Sequence, residues 1–162
     1  TEYCHNGNLF DLLHDTVDDD DNSENYAVKI PWQRRVRIAL DVARGMNFLH
    51  TSTPVIIHRD LKCVQWCMMI NRSLNILVDE KWTAKVSDFG LSRFKSAAAH
   101  GMMTGQCGTY QWMAPEVIGG HIYTEKADVY SFGVNLWELL TRKIPYDGMQ
   151  PMQVGEWMDG DE

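Results

Sequence analysis

His58-Arg59-Asp60-Leu61-Lys62 opens residues 58–90, Leu74-Asn75-Ile76-Leu77-Val78-Asp79 continues them, and Asp88-Phe89-Gly90 closes them. Ile76-Leu77-Val78 and Ala84-Lys85-Val86 read as two short strands joined by Asp79-Glu80-Lys81-Trp82. Asp60 and Asp88 then fall in loops before and after this hairpin. Singly, either could be a carboxylate that caps a turn. Between the first two motifs runs Cys63 to Arg72, CVQWCMMINR, with one Trp, two Cys and two Met in ten residues. It has neither turn chemistry nor a clean period.

Outward from this centre, the strongest periodic signals are helical. Val55-Ile56-Ile57 is a short apolar run leading into His58. Before it, Pro31 to His50 predicts a helix, with Pro31 suited to the first turn. Trp32, Val36, Ala39, Leu40, Ala43, Met46 and Leu49 mark its expected buried stripe. Leu9 to His14 gives one or two helical turns after the turn His5-Asn6-Gly7-Asn8. Residues 15–25 form an acidic loop containing Asp18-Asp19-Asp20-Asp21. A run of like charge reads as a solvated face, and it lacks the alternating ligands and turn Gly of a calcium loop.

Downstream, Leu91 to Gln111 has no regular period and is rich in Ser, Ala, Gly and Thr, as in a loop that carries function. Thr124 caps a predicted helix over 125–141 that is apolar nearly all round, from Ala127 through Leu140. Such a helix is expected in the middle of a domain. The acidic tail from Glu156 to Glu162 shows no period.

The chain has 162 residues, 44% hydrophobic content and six Trp, which suits a packed core. Fifteen basic against 22 acidic residues leave a net charge of −7. That balance leaves no basic patch to neutralise phosphates, so no nucleic-acid partner is expected. Cys4, Cys63, Cys67 and Cys107 show no framework spacing, which favours a reduced, cytoplasmic setting. Cys63 and Cys67 lack the second pair that a tetrahedral metal site needs. No apolar run reaches bilayer-spanning length. Thr1-Glu2-Tyr3-Cys4 is neither an initiator Met nor a targeting segment, and the reading expects a fragment.

The ordered set HRDLK, NILVD, DFG, APE and the DVYSFG helix strongly resembles the C-terminal lobe of a eukaryotic protein kinase. The resemblance implies a mainly α, α+β fold: a hinge at 1–8, a catalytic loop at 58–79, an activation segment at 88–116 and a central helix at 124–141. It implies ATP and Mg²⁺ as cofactors and a protein as substrate, in a reaction governed by positioning and charge neutralisation. Asp60 would accept the proton of the substrate hydroxyl, and Lys62 would neutralise charge on the transferred phosphate. Asn75 and Asp88 would hold the metal ions. His58, Phe89, Gly90, Glu116 and Asp128 resemble residues that hold the loops in register. Arg59 resembles the receiver of an activation-loop phosphate, for which Thr104 is the candidate, and Thr109 resembles the substrate-docking threonine. Thr1 looks like the gatekeeper, Glu2 and Cys4 like the hinge, Asn8 like a ribose contact and Leu77 like the floor of the adenine pocket. Lys62 and Gly108-Thr109 look like serine/threonine kinases, and the string 108–116 is similar to the tyrosine-kinase-like group.

Three departures stand against this pattern. The family places Asn five positions after the catalytic Asp, yet that position is Gln65, and Asn75 comes ten residues late. Deleting 63–72 leaves HRDLKSLNILVD, so the run is either a looped-out insertion or a translated intron. Asn135 lies among apolar neighbours in the central helix and needs a hydrogen-bond partner if buried. Finally, no Gly-rich phosphate loop, no Val-Ala-Ile-Lys strand and no αC helix is present, and the final lobe helices that would supply an Arg to Glu116 are expected to be missing. A second reading is therefore a catalytically silent fragment that acts as a binding module or arises from a gene-model error.

Overall fold

The computed structural model describes residues 3–14, 30–62, 75–88, 93–94 and 110–149. In chain order these give α1 (Leu9–His14), α2 (Trp32–Thr51), β1 (Ile56–Ile57), β2 (Ile76–Val78), β3 (Ala84–Val86), β4 (Arg93–Phe94), a 3₁₀ turn (Tyr110–Trp112), α3 (Pro115–Ile118) and α4 (Lys126–Thr141). Helix dominates, and the strands make two separate two-stranded antiparallel sheets, β1 with β4 and β2 with β3. The expected acidic loop, the run 63–72, Glu2, Phe89, Gly90, Thr104, Thr109 and the acidic tail lie outside the described residues.

The hairpin forms where the sequence reading puts it. Ile76 pairs with Val86, Leu77 with Lys85 and Val78 with Ala84. Its turn is built by Asp79, whose Oδ1 accepts from the Lys81 and Thr83 N–H groups at 2.9 Å each. The Thr83 N–H, foremost among its partners, holds the Asp79 carboxyl below its ordinary value. Asn8 forms an isolated antiparallel bridge to Leu77, so the chain before α1 runs along the hairpin edge. The expected turn before it closes through Gly7 N–H to Cys4 O at 3.0 Å, with Gly7 at φ +70°.

The hairpin packs on α2. Ala84 N–H meets Asp41 Oδ2 at 3.4 Å, Arg34 lies over the Trp82 ring at 4.3 Å, and Gly45 faces Val86. Here the expected stripe needs correction. Ile38, Val42, Met46 and Leu49 are the buried residues of α2, whereas Trp32, Val36 and Leu40 are 61%, 48% and 47% exposed. At about 100° per residue the two sets lie roughly a third of a turn apart. Both are apolar, and the attachment of the hairpin and α4 selects between them. Met46 and Leu49 are where the periodicity puts them.

Helix α4 also departs from its expected character. It begins after Thr124, whose Oγ1 accepts from Lys126 N–H at 3.3 Å. Its buried residues are Ala127, Asp128, Ser131, Asn135, Glu138 and Leu139, while Val129, Trp137 and Leu140 are exposed. The polar residues at 128, 131, 135 and 138 share one face by helical spacing. That face, rather than an all-round apolar surface, is turned inward. Arg35 ties α2 to the end of α4 by donating to Leu139 O and Leu140 O at 3.2 and 2.9 Å. β4 and the short α3 fall in stretches where periodicity gives no element.

Candidate active site

The inward face of α4 is where the loops are fastened. Asp128 is 1% exposed. Its Oδ2 accepts from His58 N–H at 2.9 Å and its Oδ1 from Arg59 N–H at 2.8 Å. His50 Nε2, at the end of α2, lies 2.8 Å from the same Oδ2. One buried carboxylate thus fixes the start of the 58–62 loop and the end of α2. Arg59 sits at φ +72°, a left-handed conformation strained for a residue with a Cβ, and the bond from its N–H to Asp128 holds it there. The Arg59 guanidinium lies 5.5 Å from the Tyr123 ring.

His58 is wholly buried. Its Nδ1 accepts from Asp60 N–H at 3.3 Å, and its Nε2 donates to Ser87 O at 3.0 Å. A neutral ring protonated at Nε2 satisfies both bonds. His58 therefore links the residue before Asp88 to the residue that carries the Asp60 carboxylate. Ser87 N–H donates to Asn75 O at 2.8 Å, closing the same circle from the hairpin side.

At the centre, Asp60 Oδ1 lies 3.1 Å from Lys62 Nζ, and Oδ2 accepts from Asn75 Nδ2 at 3.0 Å. Asn75 Nδ2 also meets Asp60 O. Asn75 is wholly buried, and its Oδ1 has no hydrogen-bond partner among the described residues. A buried, unpaired amide oxygen is costly. Asp88 is exposed, at φ +58°, directly after Ser87.

The structure thus brings Asp60, Lys62 and Asn75 together, with Asp88 entering next to them through Ser87. Leu77 is half-buried between the buried Ile76 and Val78, so it faces away from the side of the hairpin that joins the core. Cys4 is half-buried near the turn. Asn8, expected near a ribose, stands directly before α1. It is 7% exposed, its Oδ1 accepts from Asp11 N–H at 2.8 Å, and its amide meets the Asp11 carboxylate. It is the N-cap of α1, which fixes that short helix against the hairpin. Glu116 is half-buried in α3.

Periodicity alone did not reveal a second buried carboxylate. Glu138 is wholly buried, with Oε1 at 3.0 Å from His14 Nε2 and Oε2 accepting from Trp112 Nε1 at 3.3 Å. Burial pushes its carboxyl above the ordinary value, and His14 and Trp112 oppose that shift. Ser131 donates to Trp112 O at 2.6 Å, and Asn135 to Leu61 O at 3.1 Å. The signal in the sequence was the spacing of Asp128, Ser131, Asn135 and Glu138 within an otherwise apolar helix.

A family model described as protein tyrosine and serine/threonine kinase matches residues 1–162. The chain belongs to this protein kinase family. Among similar relatives, the probable serine/threonine-protein kinases drkA and drkB of Dictyostelium discoideum are 46% and 47% identical, over 95% of this chain and 20% and 19% of their own lengths. Serine/threonine-protein kinase CTR1 of Arabidopsis thaliana is 45% identical, over 95% of this chain and 16% of its own. This kinase chain spans about a fifth or less of the length of these curated relatives. No helix among its described residues is long and apolar enough to cross a membrane.

Proposed function

We propose that this kinase chain carries the catalytic loop of a tyrosine-kinase-like serine/threonine kinase, which transfers the γ-phosphoryl group of ATP to a Ser or Thr hydroxyl of a protein. The observation that carries the reading is the Asp60 carboxylate held by Lys62 on one oxygen and Asn75 on the other, beside the unpaired Asn75 Oδ1. The printed names of the relatives support serine/threonine rather than tyrosine as the acceptor class.

Asp60 orients the substrate hydroxyl and takes its proton, a contribution of about 10²–10⁴ in rate for a positioned base. Lys62, within ion-pair distance of Asp60, neutralises charge on the transferred group. Asn75 Oδ1 and Asp88 are the residues that would hold Mg²⁺. Held by these residues, the ion would supply charge neutralisation for the transferred phosphate. One or two protein oxygens suffice, because Mg²⁺ takes its other ligands from phosphate and water. Leu77 and the backbone near Cys4 offer the adenine its floor and edge. Arg59 stands ready for an activation-loop phosphate, since a guanidinium receives a phosphate through paired hydrogen bonds. The reading assigns Thr104 as the phosphosite and Thr109 as the substrate-docking residue on the resemblance alone.

The test is calorimetric titration with Mg²⁺-ATP, followed by phosphorylation of a generic Ser/Thr substrate. Asp60→Asn should lower kcat by about 10²-fold or more while leaving ATP affinity within about twofold. Asp88→Ala should abolish Mg²⁺-dependent ATP binding. Tyr-only phosphorylation, or turnover indifferent to Asp60→Asn, would sink the reading.

A further inference from the structure

Two of the chain's departures from the kinase pattern meet at Leu61, one by a contact and one by sequence. Asn135 is 5% exposed on the inward face of α4. Its Nδ2 donates to Leu61 O at 3.1 Å and to Ser131 O at 2.7 Å, and its Oδ1 is buried without a partner among the described residues. Leu61 is the single residue between Asp60 and Lys62, and is 1% exposed. One side chain of α4 therefore grips the backbone between the two residues proposed to carry the chemistry.

The other departure begins two residues later. Fourteen residues, 61–74, separate Asp60 from Asn75, where the family pattern has four. Yet the structure closes this interval, because Asn75 Nδ2 meets both Asp60 O and Asp60 Oδ2. The probability that a chain segment returns to its origin falls with about the 3/2 power of its length. Lengthening the interval from four to fourteen residues lowers it about sixfold. A net buried hydrogen bond contributes about fivefold in an equilibrium. The bond from Asn135 is of the size needed to offset the longer interval.

We propose that Asn135 is a positioning residue for Asp60, which compensates for the extra run 63–72 by anchoring the Leu61 carbonyl to α4. The inference rests on the reading of Asp60 as the base. A Val or Leu at 135 would remove the bond to Leu61 O and leave Asp60 held, among the described residues, by Asp128 through His58 and Arg59, by the His58 ring, by Lys62 and by Asn75. Without residues 63–72 those ties suffice, and the Asn135 bond becomes dispensable. The assignment is a dependence between two positions, and a purely structural buried Asn would not show it.

The experiment uses four chains: the parent, Asn135→Leu, the deletion of 63–72, and the deletion with Asn135→Leu. Asn135→Ser, too short to reach Leu61 O, is made in both backgrounds as a second variant. Amide hydrogen exchange in the peptide covering 58–62 is read first, because it needs no activity. In the parent background each substitution should speed exchange about fivefold, and lower kcat by a similar factor with KM for ATP unchanged. In the deletion background both effects should fall below about twofold. Loss of fold confined to the background that retains 63–72 also supports the proposal. Equal effects in both backgrounds, loss of fold in both, or no change in the parent overturn it. If no chain transfers phosphate, the reading of Asp60 as base falls, while the exchange pattern still decides the role of Asn135.

Discussion

Asp128 and Glu138 are two wholly buried carboxylates ten residues apart on one helix, and they differ in what surrounds them. Asp128 receives two backbone N–H bonds and a histidine. Its removal strands two buried donors, so Asp128→Ala should cost about 3 kcal/mol or more in urea unfolding. A loss under about 1 kcal/mol would mean that the loop is held elsewhere. Glu138 has fewer partners, and burial raises its pKa from 4.5. A carboxyl raised in the folded state contributes stability below its unfolded pKa, and the contribution is lost as pH rises through the folded value. Glu138→Gln removes that titration. The stability of the variant relative to the parent should therefore improve as pH rises from about 5 to about 7.5, read from urea midpoints. A difference that is flat across this range would rule out titration of Glu138 there. Neither geometry follows from sequence. The motif identifies Asp128, but nothing local to Glu138 says that Trp112 and His14, distant in the chain, will meet it.

At the scale of elements, the hairpin was legible because its pairing is local. Two short runs rich in strand-forming residues, Ile76-Leu77-Val78 and Ala84-Lys85-Val86, and a four-residue turn built on Asp79 decide it without help from the rest of the chain. α2 was legible as a helix but not in its orientation, because Trp32–Val36–Leu40 and Ile38–Val42 are equally apolar stripes. The tie is broken by Gly45, which lets β3 approach the helix. A Cβ at Gly45 would stand 3.1 Å from Val86 Cγ2. Gly45→Val should thus lower stability by about 1–3 kcal/mol through overpacking, although Val is the better helix former. A rise in Tm would show that β3 yields freely. β4 was illegible because its partner β1 is far away in sequence, and pairing at that separation leaves no periodic trace in two residues.

For the molecule as a whole, the core joins α1, α2, the hairpin, the 3₁₀ turn and α4 into one cluster, and the catalytic motifs hang from it by hydrogen bonds. The fold class was readable from motif order, as was the sequence position of the central loop residues Asp60, Lys62 and Asn75. The fastening of those loops was not, because among the described residues it resides in contacts between α4 and four remote segments: α1, α2, the 58–62 loop and the 3₁₀ turn. Outside the core, Trp32, Val36 and Leu40 on α2 and Val129, Trp137 and Leu140 on α4 stay exposed. Apolar surface of this kind favours association. The purified chain should bind a hydrophobic dye and sediment with concentration-dependent mass, and Trp32→Lys with Trp137→Glu should reduce both signals. A concentration-independent monomer would mean that these side chains are too scattered to act as one patch.

Helix α4 inverts the usual relation between polarity and burial, and this has a consequence for how the chain tolerates change. A saturation scan along 126–141 should give a fitness map with helical period whose intolerant positions are the hydrophilic ones, Asp128, Ser131, Asn135 and Glu138. The large apolar residues on the outer side should accept polar replacements. Substitution scores weighted by hydrophobicity would rank this helix backwards, penalising Trp137→Gln and excusing Ser131→Val. In such a map the helix would look less like part of an oily interior than like a keel to which separate loops are bolted.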